Sequence, residues 1–456
     1  MKDEACMEIF DELRAQVALL RPVRIFGRIS RIEGQLVAIA GLAEEARIGD
    51  WLEIETGSGT IVGAEVLRLT RDEALALPDG PRDGLAIGDR VEHMAARGLE
   101  PDNSWLGRVV DPYGRPIDGA PLLPGPRLRP LHTPPPEPSR RGRLGDRLET
   151  GMAVFNTLLP IVRGQRIGLF AGSGVGKTLL LGNLARQMQA DVVVLAMIGE
   201  RGRELRDFVE DVLGKEGLER AVIITATSDQ PPLTRRRCAL AAMCVAEHFR
   251  DQGLHVLLLA DSITRMAEAH REVALAAGEP ASLRGYPPST AHQIMSLAER
   301  AGPGRDGVGA ITAVLTVLVA GSDMEEPVAD ILRGVLDGHV VLDRAIAERG
   351  RFPAIDVLRS VSRSLPNCAK PEENARIAEA RRLLGAYDRA EIMVQAGLYE
   401  KGSDPLVDRA ILAFPALDAF IAEAAPSGIA GAFLRLAQCL ETPHAPSAAR
   451  KDKRRA

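Results

Sequence analysis

Residues 171–178 read AGSGVGKT. An apolar run, IGLFA at 167–171, leads into them, and TLLLGNLARQMQ at 178–189 leaves them with leucines at helical spacing. A glycine-rich turn between a strand and a helix, closed by a lysine and a hydroxyl residue, has the make-up of a phosphate-binding loop. Gly172, Gly174 and Gly176 have no Cβ to stop backbone N–H groups turning toward phosphate oxygens. The helix that follows offers its N-terminus to the anion. Lys177 supplies a cation for the β- and γ-phosphates, and Thr178 a hydroxyl for Mg²⁺. The usual pattern opens on glycine, where this chain has Ala171. Ala171 closes the strand before the loop curls, so its φ is expected to stay negative and a methyl is tolerated. ATP and Mg²⁺ are the expected ligands. Gly172, Ser173, Gly174, Val175, Gly176, Lys177, Thr178 and Leu179 form the nucleotide-binding run.

Beyond the loop the strand–helix unit repeats. VVVLAMI (192–198) is followed by ELRDFVEDVL, VIITAT (222–227) by CALAAMCVAEHF, and then comes HVLLLAD (255–261). That alternation predicts a mainly parallel sheet with helices on both faces, a RecA-like α/β nucleotide-binding domain over 98–370. HVLLLAD ends in Asp261, 84 residues after Lys177, which is room for two intervening strand–helix units. A carboxylate at a strand end beside a phosphate loop is the expected second holder of Mg²⁺. Glu200, in MIGERGRE, follows the strand next after the loop helix. Its chemistry fits a base for the attacking water, and equally a cap on the helix starting near Gly202.

The flanks have other textures. Residues 8–20, EIFDELRAQVALL, put Ile9, Phe10, Leu13, Val17 and Leu20 on one helical face, stopped by Pro22; residues 1–22 are read as an amphipathic helix. Over 23–97, RIFGRISRI, QLVAIAG, WLEIETG and TIVGAEVLRL alternate with glycine turns, which predicts a small β-barrel. Pro112 to Pro138 is proline- and glycine-rich and reads as an extended segment. Residues 371–445 read as a C-terminal helical domain, and 446–456 as a basic tail.

Composition narrows the classes. A net charge of −5 over 456 residues argues against a dedicated nucleic-acid binder. Five scattered cysteines, with no C-x-x-C pair, fit reduced thiols rather than a metal site or disulfide framework. The opening MKDEACMEIF is unlike a signal peptide, and VLLLA and AVLTVLVA are too short to span a bilayer.

Longer motifs add a resemblance. GRVVDPYGRPIDG (107–119), LETG (148–151), IGERGRE (198–204), TSDQ (227–230), DSITR (261–265), GYPPS (285–289), DGHVVLDRAIAERGRFPAID (337–356) and SVSR (360–363) accompany the loop. Together they resemble the catalytic subunits of the F/V-type rotary ATPase superfamily, and most closely the flagellar type III protein-export ATPases. That branch carries alanine before G-S-G-V-G-K. The resemblance implies a hexameric Mg-ATPase that energises export of flagellar proteins across the cytoplasmic membrane. It makes Glu200 the catalytic carboxylate, since silent subunits carry glutamine there, with Arg201 orienting the site. It puts Phe352 against adenine and makes Arg363 an arginine finger acting in trans. Implied partners are a stator-like regulator at the N-terminus, a central stalk-like protein, the export gate and chaperone–substrate complexes. The implied place is the cytoplasmic face of the inner membrane, reached through those partners. DMEEPVAD (323–330) leans toward the flagellar rather than the virulence-secretion type. A rotary synthase subunit would carry glycine at 171. A Rho-like RNA translocase would carry base-stacking aromatics on the barrel, and residues 23–95 hold only Phe26 and Trp51.

Overall fold

The structure, a computed structural model, describes residues 23–319 and 325–441. The amphipathic helix expected within 1–22 and the basic tail expected at 446–456 lie outside the described residues. The chain divides into two compact units. Among the described residues, one is 23–98 with 231–233 and 272–280, and the other is the remainder.

The first unit holds a closed antiparallel barrel. Its strands are β1 (Phe26–Glu33), β2 (Leu36–Ala40), β3 (Trp51–Glu55), β4 (Ile61–Leu69), β5 (Glu73–Pro78) and β6 (Arg90–Met94), ordered β1-β2-β5-β4-β3-β6. Alternation along the strands sends Ile29, Val37, Ile39, Leu52, Ile54, Val66 and Val91 into one apolar core. Two residues join β1 to β2, and Gly34 at φ +54° gives that tight hairpin its left-handed position. At Gly63 the need is space. A Cβ there would fall 2.1 Å from the Trp51 ring, so the missing side chain is what lets Trp51 lie across β4. The Trp51 residue is buried, and the Arg90 guanidinium lies 3.7 Å from the centre of the Phe26 ring.

The second unit is built on one sheet. Its strands are β7 (Arg108–Val110), β8 (Arg166–Ala171), β9 (Val192–Glu200), β10 (Ala221–Thr227), β11 (His255–Asp261), β12 (Gly302–Pro303), β13 (Ala310–Leu318), β14 (Gly338–Leu342) and β15 (Ile355–Ser362). They run in the order β15-β14-β8-β13-β11-β9-β10-β7, with β12 pairing β13 off that path. All neighbours from β14 to β7 are parallel, while β15 runs antiparallel on the edge. Strands covered on both faces cannot alternate, so β9 and β11 are buried almost end to end. Helices Pro232–Arg250, Ser289–Arg300 and Pro327–Val335 cover one face. The helix Lys177–Gln187 covers the other and shares its core with the C-terminal helices Pro371–Gln395, Pro405–Ala422 and Gly428–Leu440. The C-terminal helices are thus part of the same compact unit as the sheet.

The barrel, the parallel α/β core and the helical C-terminus match the expected architecture. Three details go beyond it. Strand β9 runs on to Glu200 rather than stopping at 198. The stretch after it splits into a helix at Gly202–Asp207 and a π-helical turn at Phe208–Leu213. The GRVV segment supplies β7, an edge strand beside β10.

Candidate nucleotide and catalytic site

Strand order decides which side chains meet. The path β8-β13-β11-β9 puts the carboxyl ends of the strands carrying Ala171, Asp261 and Glu200 along one edge of the sheet, where open α/β sheets bind ligands. Ala171 is a buried residue of β8 in ladder register with Leu318 and Leu342, and its carbonyl accepts from the Val319 amide at 3.1 Å. It keeps strand conformation, and only past it does the chain curl.

Gly174 and Gly176 then take φ of +76° and +86°, a region closed to most side chains. Gly176 caps the helix Lys177–Gln187, whose first amides have no intrahelical acceptor. Val175 is buried in the core and anchors the loop from beneath. Ser173, Thr178 and Leu179 are exposed, and the space above Gly174 is open. The outer face of the loop is therefore open to solvent.

Lys177 gathers the acids. Its Nζ lies 2.6 Å from Asp261 Oδ1 and 3.5 Å from Glu200 Oε1. All three side chains are largely buried, with Asp261 only 7% exposed. Glu200 is pushed up to about 7, mainly by burial. Lys177 pulls it down, while Asp261 and Glu204 push it further up. Near neutrality it can therefore hold or release a proton, as a base for water must. The helix after it is capped at Arg201, with no side-chain hydrogen bond, so Glu200 does not serve as that cap.

Other expected residues fall in different places. Arg201 does not turn to the cluster; it is 81% exposed and faces Glu204 at 3.6 Å. Phe352 is close, because a Cβ on Gly176 would lie 3.0 Å from its ring. Its face is half exposed beside the loop. Arg351 braces that segment, donating to the carbonyls of Pro353 and Ile355 and pairing with Asp418 of the C-terminal helices at 2.9 Å. Arg363 is at the opposite edge. It follows β15, whose Ser362 pairs Gly338 at the amino end of β14. Ala171 pairs Leu342 at the other end, four residues along, or roughly 13 Å. Arg363 therefore does not meet its own chain's loop, and its Nη2 donates to the Arg333 carbonyl at 3.3 Å.

One contributor escaped the sequence reading. Thr316 on β13 is fully buried, and its hydroxyl donates to Asp261 Oδ1 at 2.7 Å. A lone hydroxyl residue in the apolar run AVLTVLVA was the available signal.

The site suits Mg²⁺. Thr178 and Asp261 offer hard oxygen ligands, and Lys177 already places positive charge on the carboxylates. Among the described residues no group of three or more His, Cys, Asp or Glu could hold a metal. Mg²⁺ takes most of its ligands from water and phosphate, so one or two protein oxygens suffice to hold it.

The chain is also similar to known proteins. Residues 151–362 match the ATP synthase alpha/beta family, nucleotide-binding domain, and residues 369–425 match the T3SS EscN ATPase C-terminal domain. The flagellum-specific ATP synthase of Caulobacter vibrioides is 46% identical over 90% of this chain and 94% of its own length. That of Salmonella typhimurium is 43% identical over 90% and 92%. The assembled ATPase EscN of the enteropathogenic E. coli type III secretion system superposes with a TM-score of 0.84 at 37% identity, over 91% of this chain and all of that one. EscN in complex with its central stalk EscO gives 0.83 at 38% identity, with the same coverage.

Proposed function

This chain belongs to the ATP synthase alpha/beta family alongside the flagellum-specific ATP synthases, it is an ATP hydrolase of type III export, and we propose that it works as a Mg²⁺-dependent homohexamer energising export of flagellar proteins across the cytoplasmic membrane. The observation that carries this reading is Lys177 spanning Asp261 and Glu200 beside an open loop of backbone donors. Nucleotide phosphates would draw Lys177 off the carboxylates, because an ammonium sits better against several phosphate oxygens than between two buried acids. The amides of 172–178 then hold the phosphates. Mg²⁺, held by Thr178 and Asp261, would neutralise charge on the β- and γ-phosphate oxygens. Glu200, freed of Lys177, orients the water and accepts its proton. Phe352 offers a flat apolar face for adenine.

Arg363 completes the site of the neighbouring subunit. Its own loop lies at the other edge of the sheet, so this guanidinium would reach a nucleotide phosphate across an interface rather than within its own chain. EscN is a structure of an assembled ATPase, and it is also known with its central stalk EscO; a homo-oligomer and a stalk-like partner are inferred for this chain by that likeness. The stator-like regulator, the export gate and the chaperone–substrate complexes are further inferred partners. Among the described residues no helix is long and apolar enough to cross a membrane, so attachment to the inner membrane face would run through them. The identities of 46% and 43% with flagellar proteins, against 37% with EscN, favour the flagellar over the virulence system.

The test is complementation of a strain lacking its flagellar export ATPase. The wild-type chain should restore hook and filament proteins to the medium, and the Lys177→Ala chain should not. Secretion restored equally by both would overturn the role of ATP hydrolysis in export.

A further inference from the structure

Asp261 accepts two hydrogen bonds on the same oxygen. Lys177 Nζ reaches Oδ1 at 2.6 Å and the Thr316 hydroxyl reaches it at 2.7 Å. The two donors differ in what holds them. Lys177 stands on a long flexible stem at the start of a helix, and its cation has work to do on the phosphates. Thr316 stands near the carboxyl end of a strand, fully buried, on β13 between the loop strand β8 and the Asp261 strand β11. Its β-branched side chain has little freedom of rotation there. Its other acceptor among the described residues is the Ala260 carbonyl at 3.1 Å. A hydroxyl has one proton, and the shorter bond to a charged oxygen is the stronger.

We propose that Thr316 is a positioning residue for the metal carboxylate. Its hydroxyl fixes Oδ1 of Asp261 so that the carboxylate keeps one orientation when Lys177 moves to the phosphates. The physical need is plain in the surroundings. Asp261 is nearly buried among the apolar ends of β11 and β13. Without a fixed donor its carboxylate would be free to rotate once Lys177 had left. With Oδ1 tied to Thr316, Oδ2 would be the oxygen left to hold Mg²⁺. Groups that orient a metal's ligands in this way are worth about 10–100-fold in metal affinity or activity.

This rests on the reading of Asp261 as a Mg²⁺ holder, and the experiment separates the two. Binding of a fluorescent ADP analogue is titrated at stepped Mg²⁺ concentrations, with no turnover involved. The variants are Thr316→Val, Thr316→Ser and Asp261→Asn, with the thermal midpoint of each measured without nucleotide. Thr316→Val keeps the shape and loses the hydroxyl. It should raise the Mg²⁺ concentration for half-maximal binding by about 10-fold or more. Binding in the presence of a chelator should be unchanged. Thr316→Ser keeps the hydroxyl and should restore the wild-type Mg²⁺ curve, even where loss of the methyl lowers the thermal midpoint. If serine shifts the curve as far as valine does, packing rather than the hydroxyl matters and the proposal fails. If Asp261→Asn shifts the curve and Thr316→Val does not, the positioning role fails alone. If neither shifts it, the metal reading of Asp261 falls as well.

Discussion

Replacing Glu200 by glutamine should make the nucleotide-free protein more stable while removing most of its turnover. Folding takes this carboxyl from 4.5 to about 7, because burial and Asp261 outweigh the attraction of Lys177. The folded chain therefore holds a proton that the unfolded chain has released. Stability tied to that proton is fully present below pH 4.5 and is lost as pH rises through 7. At pH 8 the charged form costs the folded state about 3 kcal/mol. Glutamine keeps the shape and cannot ionise, so it escapes that cost. The stability gap between variant and wild type should widen by about 2 kcal/mol between pH 5.5 and pH 8. In a protein of this size that is a few degrees in thermal midpoint. Scanning fluorimetry without nucleotide, run across that pH range, measures it. Phosphate release under saturating MgATP should fall by a factor on the order of 10²–10⁴. A gap that stays flat with pH would refute the account of Glu200 as a carboxyl strained by burial. Near wild-type turnover would refute its role as base.

The same carboxyl sets an acid limb. Its ionised form is the active one, so kcat/KM should fall below an apparent pKa near 7, and the Gln variant should lack the limb; a limb near 4.5 would contradict the buried environment. Lys177→Ala should lose most ATP affinity in a fluorescence titration, since the loop loses its cation for the β- and γ-phosphates. Phe352→Ala should raise KM for ATP several-fold with kcat nearly kept, as expected when a stacking contact worth about 1 kcal/mol is lost equally from substrate and transition state. Arg363→Ala should bind ATP yet hydrolyse it poorly, by a factor of roughly 10³–10⁵. Mixed with Glu200→Gln it should regain turnover, because a site with intact Glu200 then faces an intact Arg363. No recovery at any ratio, with subunit exchange confirmed, would count against action in trans.

What the sequence determined by itself was local in its physics. The loop 171–178 is legible because backbone amides need glycines to reach a phosphate and a lysine to balance it. Those requirements act within a few residues of chain. The apolar runs of β9 and β11 are legible because a strand buried on both faces cannot carry polar residues. Asp261 is legible because it closes such a run. The barrel is readable from alternation and glycine turns in four of its strands, and EALALP and RVEHM supply the other two, β5 and β6. What only the tertiary structure decided depends on strand order. Nothing in the spacing of Lys177, Glu200 and Asp261 says that β13 enters between β8 and β11, and it is that insertion which carries the Thr316 hydroxyl to Asp261. In sequence Glu200 fits a cap and a base equally; that β9 ends with its carboxylate 3.5 Å from Lys177, largely buried and with its pKa raised, depends on strand order. Arg201, its neighbour in sequence, turns outward, because side chains on successive residues of an extended chain point to opposite sides. Arg363 lies at the far edge from its own loop because β15 runs against the other strands. Distances across a sheet are set by crossover connections and strand direction, and a single sequence carries those only as the sum of all its packing.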